Sequence, residues 1–260
     1  MLIREFQQGG LRIDVYDTAT ALGLEAAKYA ATLIQDAIRD KGSVRVLFSA
    51  ANSQLEVVRN LVLMEGIDWK CVEVFHVDEY IELPSSHPAS FRRWIRQNLV
   101  EQVHPGAVHY LDGDAHDIDA ECRRYEGLLS AAPLDISFLG FGENGHIGFN
   151  DPHEANFADT RAVRRVTLDE RCRQQQVNEG HWPGLAAVPD EGLTLTCPAL
   201  VSASYVICCV PGAPKADAVA RALEGPISAV CPGSLIRTHP RARLHLDSDS
   251  AALLSQGITA

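Results

Sequence analysis

No apolar run in the 260 residues approaches the roughly 20 needed to cross a bilayer. Residues 1–10 are polar and lack the hydrophobic stretch of a secretory leader, so a cytoplasmic protein is the expectation. Excess basic charge is missing as well. The formal net charge of -11 at pH 7 argues against nucleic acid and against anionic membrane surfaces as partners. It leaves a phosphorylated small molecule open, because a local pocket can be positive on an acidic protein. Disulfide and metal spacings are also lacking. The seven cysteines (Cys71, Cys122, Cys172, Cys197, Cys208, Cys209 and Cys231) contain no C-x-x-C pair, and an odd count without a pattern reads as reduced thiols, mostly buried as small hydrophobes. The ten histidines show no H-E-x-x-H spacing, so no metal is expected. Internal repeats and low-complexity linkers are absent, and a hydrophobic content of 46% supplies a sizeable core. One domain over residues 1–260 is expected.

What the chain does contain is an alternation of helical and strand-like segments. Thr18 to Asp40 carries Leu22, Ala26, Ala30, Leu33 and Ala37 at helical spacing, with Gly42 as a stop. Ser53 to Met64, Ser90 to Leu99, Ile118 to Leu129 and Lys215 to Leu223 read as further helices; Ser90 and Asp117 are suited to be N-caps, and Pro214 opens the last helix, which Gly225 closes. Strands are expected at Val44–Phe48, Cys71–Val77, Val108–Leu111, Leu134–Phe141, Leu193–Thr196, Tyr205–Val210 and Leu244–Leu246. Cys208 and Cys209, adjacent on one of these, should point to opposite faces. The order of elements predicts a three-layer α/β fold: a mainly parallel, Rossmann-like sheet with helices on both faces. The charged span 151–190 has weak periodicity and reads as a long irregular excursion, a lid over a site.

Two motifs sit where strands end. Leu139-Gly140-Phe141-Gly142-Glu143-Asn144-Gly145-His146-Ile147-Gly148-Phe149-Asn150-Asp151-Pro152 packs glycines, a histidine, carboxylates and amides into a loop after an apolar run, and Phe75-His76-Val77-Asp78-Glu79-Tyr80 follows another. In an open α/β sheet, ligands bind at the carboxyl ends of strands. A histidine beside a carboxylate shuttles protons near neutral pH. Read without further context, the first could be a glycine-rich turn with a satisfied histidine and Asp78 a turn residue; the two together favour a site.

Taken in order and spacing, the two motifs resemble the glucosamine-6-phosphate deaminase/isomerase family, whose members look like "MDEY" followed later by "GHIAFNEP". The likeness continues through residues 84–91, 117–122 and Gly212-Ala213-Pro214-Lys215, covering about 20–247. The resemblance implies an aldose–ketose isomerisation coupled to loss of the amine, with an amino-sugar 6-phosphate going to a ketose 6-phosphate and ammonia. It implies no redox cofactor and no metal. By the same resemblance His146 is the acid/base that opens the sugar ring, Asp151 orients it, Asp78 moves a proton between C2 and C1, and Lys215 binds phosphate. The stretch Ser49–Gln54, with Asn52 and Ser53, matches the family's phosphate loop, and Gly145 lies in the histidine loop.

The chain departs from the pattern at several points. Asn144 stands where the family has an acidic residue two positions before the histidine, and an amide cannot stabilise an imidazolium by charge. Alanines replace the phosphate-loop glycines. Gln176 aligns with the family's lid arginine, so Arg173, or else Arg171 or Arg237, is expected to complete the phosphate site. Arg161 fits the deaminase's allosteric site but the serines of that site do not, and no amino-sugar allostery is expected; the chain is a monomer or a homo-oligomer. Two rivals remain. A 6-phosphogluconolactonase is similar but usually carries "GDER" and "DGHTASLFP" at the two motifs. A non-catalytic sugar-phosphate sensor would have no need for both Asp78 and His146.

Overall fold

In the computed structural model, which describes residues 1–255, the chain opens with a hairpin in which β1 (Leu2–Gln8) pairs antiparallel with β2 (Leu11–Tyr16). No element is expected for this segment from its sequence pattern. Arg4, Glu5, Gln7 and Gln8 break its apolar run, which suits an edge strand that buries only Phe6. Helix α1 (Ala19–Lys41) follows. Thr18 caps it by accepting from the Ala21 N–H at 3.1 Å, a contact worth about 1 kcal/mol, and Gly42 ends it at φ 81° with its N–H on the Ile38 carbonyl at 2.8 Å. Leu22, Ala26, Ala30 and Ile34 form its buried stripe.

The remaining strands are β3 (Val44–Phe48), β4 (Val72–His76), β5 (Asp78–Tyr80), β6 (Ala107–His109), β7 (Ile136–Leu139), β8 (Val163–Thr167), β9 (Glu191–Leu195), β10 (Tyr205–Val210) and β11 (Ala242–Asp247). Between them run α2 (Leu55–Leu61), α3 (Phe91–Ile95), the short α4 (Glu101–Val103), α5 (Ile118–Ser130), α6 (Glu170–Asn178), the short α7 (Cys197–Leu200) and α8 (Ala216–Glu224). Eight strands form one sheet in the order β1-β2-β11-β10-β7-β3-β4-β6, parallel everywhere except the opening hairpin. Apolar side chains alternate across it. Leu47 joins the core on one face and Val46 and Phe48 the core on the other; Cys208 and Cys209 divide in the same way, as their adjacency predicts. The three-layer α/β architecture expected from the sequence is therefore present.

The chain runs outward from β3 through β4 to β6, then returns to place β7 on the other side of β3. Between the carboxyl ends of β3 and β7 the two following loops diverge, which is where a parallel sheet forms a ligand crevice. A second, antiparallel sheet, β5-β9-β8, contributes Asp78 to that crevice.

The span 151–190 is not the irregular excursion expected. It holds β8 and α6. Val163 and Val166 are buried in different cores, three positions apart, and Arg164 and Arg165 between them pair with Glu154 and Glu191, so β8 carries no apolar alternation to mark it as a strand. In α6 only Cys172, Gln175 and Gln176 are buried, which leaves little apolar periodicity to read. The helix expected at Ser90–Leu99 is also more finely divided: α3 passes into a π-helical turn over Arg96–Val100.

Candidate active site

The crevice between β3 and β7 is lined by the loop after β3 (Ser49, Ala50, Ala51, Ser53, Gln54), by Asp78, by Gly140 to Gly142, by His146, Gly148 and Phe149, and by Gln175, Gln176, Glu179 and Lys215, with Phe91 closing one side. The space they enclose, counting its open mouth, is about 530 Å³. Residues from both sequence motifs thus meet in one cavity.

His146 is set in place by its loop. The Gly142 N–H donates to the His146 carbonyl at 2.9 Å and the Gly145 N–H to the Gly142 carbonyl at 3.0 Å, so the loop closes on itself. The imidazole lies flat against Gly142, where an added Cβ would come within 2.1 Å of Cε1 and 2.3 Å of both ring nitrogens. Gly142 therefore has to be glycine for the ring to sit there. Gly145 answers a different need. Its φ of 91° is left-handed, and a side chain on it would meet Cys231 Sγ at 2.7 Å. It shapes the loop from behind and does not line the cavity.

Nδ1 of His146 lies 3.1 Å from Oδ1 of Asp151, close enough for an ion pair although not aligned as a hydrogen bond. Nε2 is the ring nitrogen left to face the cavity. Asp151 is fully buried. Its Oδ1 also accepts from Asn144 Nδ2 at 2.8 Å, and its Oδ2 from the Asp169 N–H at 3.1 Å. Burial works to raise its pKa, but the His146 contact, the Asn144 amide and the Asp169 N–H outweigh it and hold the carboxyl below the usual range. Asn144 does more than fill the family's acidic position. Its Oδ1 accepts the His146 N–H at 2.9 Å while its Nδ2 donates both to Asp151 and, at 3.1 Å, to Asp169 Oδ2. Between two carboxylates a donor is required, and an amide supplies it.

Asp78 opens β5, with its backbone opposite Thr194 of β9. Burial, and next the charge of Glu79, push its pKa well above the ordinary carboxylate value, which raises its basicity. His76 fixes it from below. His76 Nδ1 lies 3.0 Å from the Asp78 carbonyl, and Nε2 accepts the Leu111 N–H at 2.9 Å, which assigns the proton to Nδ1. Burial pushes the His76 pKa down to about 3, so the ring stays neutral and keeps both bonds.

Two supporting residues were passed over by the sequence reading. Glu79 is wholly buried and accepts from the Ser90 hydroxyl at 2.6 Å and the Arg92 N–H at 2.9 Å, capping α3 and so holding Phe91 at the cavity wall. Gln54, equally buried, donates from Nε2 to the carbonyls of Leu139 at 3.1 Å and Cys209 at 3.2 Å. It ties together the ends of β7 and β10 beneath the cavity. Polar residues this deep need such partners, but the partners are 85 and 155 positions away and leave no local signal.

The phosphate-binding residues expected from the sequence separate in space. Ser53 and Lys215 line the cavity. Asn52 is exposed on the adjoining surface, where its Nδ2 reaches the Glu179 carbonyl at 3.4 Å. Arg173 is not in the lining: its guanidinium donates to the carbonyls of Leu185 at 3.0 Å and Val188 at 2.9 Å, and it lines a separate pocket with Trp182. Arg171 donates to the Glu143 carbonyl and Arg237 to those of Ala222 and Gly225, so neither takes its place. The expectation that one of these arginines completes the site is corrected: among the described residues, Lys215 is the one cationic side chain of Lys or Arg type in the lining. Burial lowers its pKa against the opposing pull of Glu179 and Glu143.

Ligand atoms of His146, Asp151 and Cys172 lie within 4.8 Å of one another, as do those of Asp151, His153 and Asp169. Both groups share Asp151, whose two oxygens already accept hydrogen bonds, and burial holds the Cys172 thiol well above its usual pKa. Their proximity is accounted for by the histidine loop's own bonding.

A buried carboxylate of raised pKa, a carboxylate-supported histidine and a lysine around one crevice of a parallel sheet are a set of groups suited to acid–base chemistry. Comparison with known proteins narrows this. Residues 17–245 match the family model described as glucosamine-6-phosphate isomerases/6-phosphogluconolactonase, and the chain belongs to that family. It is 35% identical over 232 residues to a glucosamine-6-phosphate deaminase of Pseudarthrobacter chlorophenolicus, covering 87% of this chain and 88% of the relative. To one of Bacillus cytotoxicus it is 30% identical over 226 residues, 87% and 84% covered. The solved structure of a monomeric glucosamine-6-phosphate deaminase superposes with a TM-score of 0.83 at 30% identity, over 93% of this chain and 99% of that one. A 6-phosphogluconolactonase of Thermotoga maritima shares the fold, with a TM-score of 0.73 at 21% identity over 91% and 98%.

Proposed function

We propose that this protein is a deaminating aldose–ketose isomerase that converts an amino-sugar 6-phosphate and water to the ketose 6-phosphate and ammonia. The observation that carries the reading is the meeting of Asp78 and His146 in one cavity, each held by its own buried support. In the ring form of the sugar, His146 moves a proton between O1 and O5 through Nε2, with Asp151 on Nδ1 stabilising the charged ring. Asp78 then takes the proton from C2 of the open chain and returns it to C1. The electron pair released at C2 forms an enolamine, and protonation at C1 leaves an imine at C2. Water adds to that imine and ammonia departs, so the net change is a hydrolysis joined to an isomerisation. Lys215 and Ser53 hold the terminal phosphate.

The test is ammonia release coupled to ketose-phosphate detection, with glucosamine 6-phosphate as the substrate and Asp78→Asn as the control. Ammonia and ketose phosphate in equal amounts, lost in the variant, are the expected result. Hydrolysis of a phosphogluconolactone without ammonia release would replace this reading with the lactonase one.

A further inference from the structure

The cavity's one lysine is already occupied. Nζ of Lys215 lies 3.5 Å from Oε1 of Glu179, and both residues face the same space. Glu179 is the C-cap of α6, followed by Gly180 in the left-handed region at φ 83°. Its Oε1 also accepts from Gln175 Nε2 at 2.7 Å, while its Oε2 stands 3.7 Å from His181 Nε2. Burial works to raise its pKa, but His181, Lys215 and Gln175 outweigh that and keep the carboxyl below the usual range, so it is ionised at neutral pH. Gln175 is itself engaged by the histidine loop, its Oε1 accepting the Glu143 N–H at 2.9 Å.

We propose that Glu179 is a specificity-determining residue: an internal carboxylate that holds Lys215 until the substrate's phosphate displaces it. The proposal deepens, and rests on, the reading that the substrate is an amino-sugar phosphate. Charge decides the point. Lys215 and Glu179 cancel, whereas a phosphate monoester brings about -1.5 to -2 at pH 7. With Glu179 still in place, that charge would be added to a largely buried end with no cation to spare, beside another anion. The two anions compete for one ammonium, and the carboxylate has to leave for the phosphate to bind. Its position permits this. Oε2 keeps its approach to His181 when Oε1 releases Lys215, and the amide of Gln175 becomes available to the incoming oxygen. A neutral terminal hydroxyl has no charge with which to drive the exchange, so the pair also discriminates against the unphosphorylated sugar.

Glu179→Gln keeps size and hydrogen bonding and removes the competing charge. Inorganic phosphate titrated into the full-length protein by calorimetry should bind at least about tenfold more tightly to the variant than to wild type, consistent with removal of one close anion. KM for glucosamine 6-phosphate should fall by a similar factor, with no matching gain for glucosamine. Adding Lys215→Met should abolish the gain. Unchanged or weaker phosphate binding by a Glu179→Gln protein with wild-type melting temperature overturns the proposal and makes Glu179 a structural residue. Faster ammonia release by wild type from glucosamine than from glucosamine 6-phosphate also overturns it, while sparing the deaminase reading. Tighter phosphate binding without ammonia from either sugar upholds the exchange and removes the deaminase reading instead.

Discussion

Nδ2 of Asn144 and Oδ2 of Asp169, 3.1 Å apart, join the histidine loop to the first turn of α6, because Asp169 is also the N-cap that accepts the Cys172 N–H at 2.6 Å. The same Nδ2 reaches Asp151, so one amide stands between two carboxylates. Asn144→Asp, which restores the family's residue, would set three carboxylates together. We expect it to lose about 3 kcal/mol of stability at pH 7, the scale of a broken buried charge pair, and to gain no activity. The loss should shrink toward pH 4, where carboxyls protonate. Urea denaturation at both pH values measures it; a stable, more active variant would refute the bridging role.

Asp78→Asn should lower kcat by about 10²- to 10⁴-fold, the range for a removed general base. The same change should stabilise the fold. The folded pKa of Asp78 is raised, so its favourable contribution is complete below the ordinary carboxylate value and is lost as pH rises through the folded value. The variant's melting temperature should therefore exceed that of wild type at pH 8 and converge with it in acid.

Gly142→Ala drives a methyl group into the His146 ring. A displacement near 1 Å costs about 100-fold in rate, and we expect that loss in kcat, with phosphate affinity at Lys215 unchanged. Steady-state kinetics and a phosphate titration separate this outcome from general unfolding, which would remove both.

His76 ties stability to pH in the opposite sense from Asp78. Its folded pKa is depressed to about 3, so the stability it contributes is present above the unfolded value near 6.5 and drains away as pH falls between the two. Across that window the unfolded chain holds one more proton at this position, a slope of about 1.4 kcal/mol per pH unit. His245, also buried and held near 3, adds a second such term. Denaturation of His76→Gln between pH 6.5 and 4 should show the slope reduced by about one proton.

The parts of the site that were legible in the sequence are those where chemistry and local pattern coincide. Asp78 and His146 each follow a buried strand, and their order and spacing match a family. Lys215, singled out by its place in Gly-Ala-Pro-Lys, lines the same cavity. The lone reach of Arg173 was misjudged because two carbonyls of the Leu185–Val188 turn capture it, and a turn's carbonyls have no sequence signature. The contact of Glu179 with Lys215 leaves no local signal for the same kind of reason: the two are 36 positions apart, and a charged residue at the end of a polar helix reads as solvated surface. In the fold, the parallel strands were found through their apolar runs. The opening hairpin and β8 were not: β1 exposes Leu2 and Ile3 and buries only Phe6, β2 buries the charged Asp14 among its aliphatics, and β8 places two arginines between its two buried valines.

The small antiparallel sheet bears on how such an enzyme could be re-engineered. Asp78 is in register with Thr194, and Thr194 with Arg164, so the strand that holds Asp78 is continued by strands from either side of α6. The hydroxyl of Thr194 in turn accepts the Phe149 N–H at 3.1 Å. Exchanging residues 151–195 for those of a relative would here transplant strands on which the pairing of Asp78's own strand rests. A graft confined to residues 168–190 leaves both β8 and β9 native, whereas a cut made at 151 moves β8, the strand that flanks β9 on the side away from Asp78.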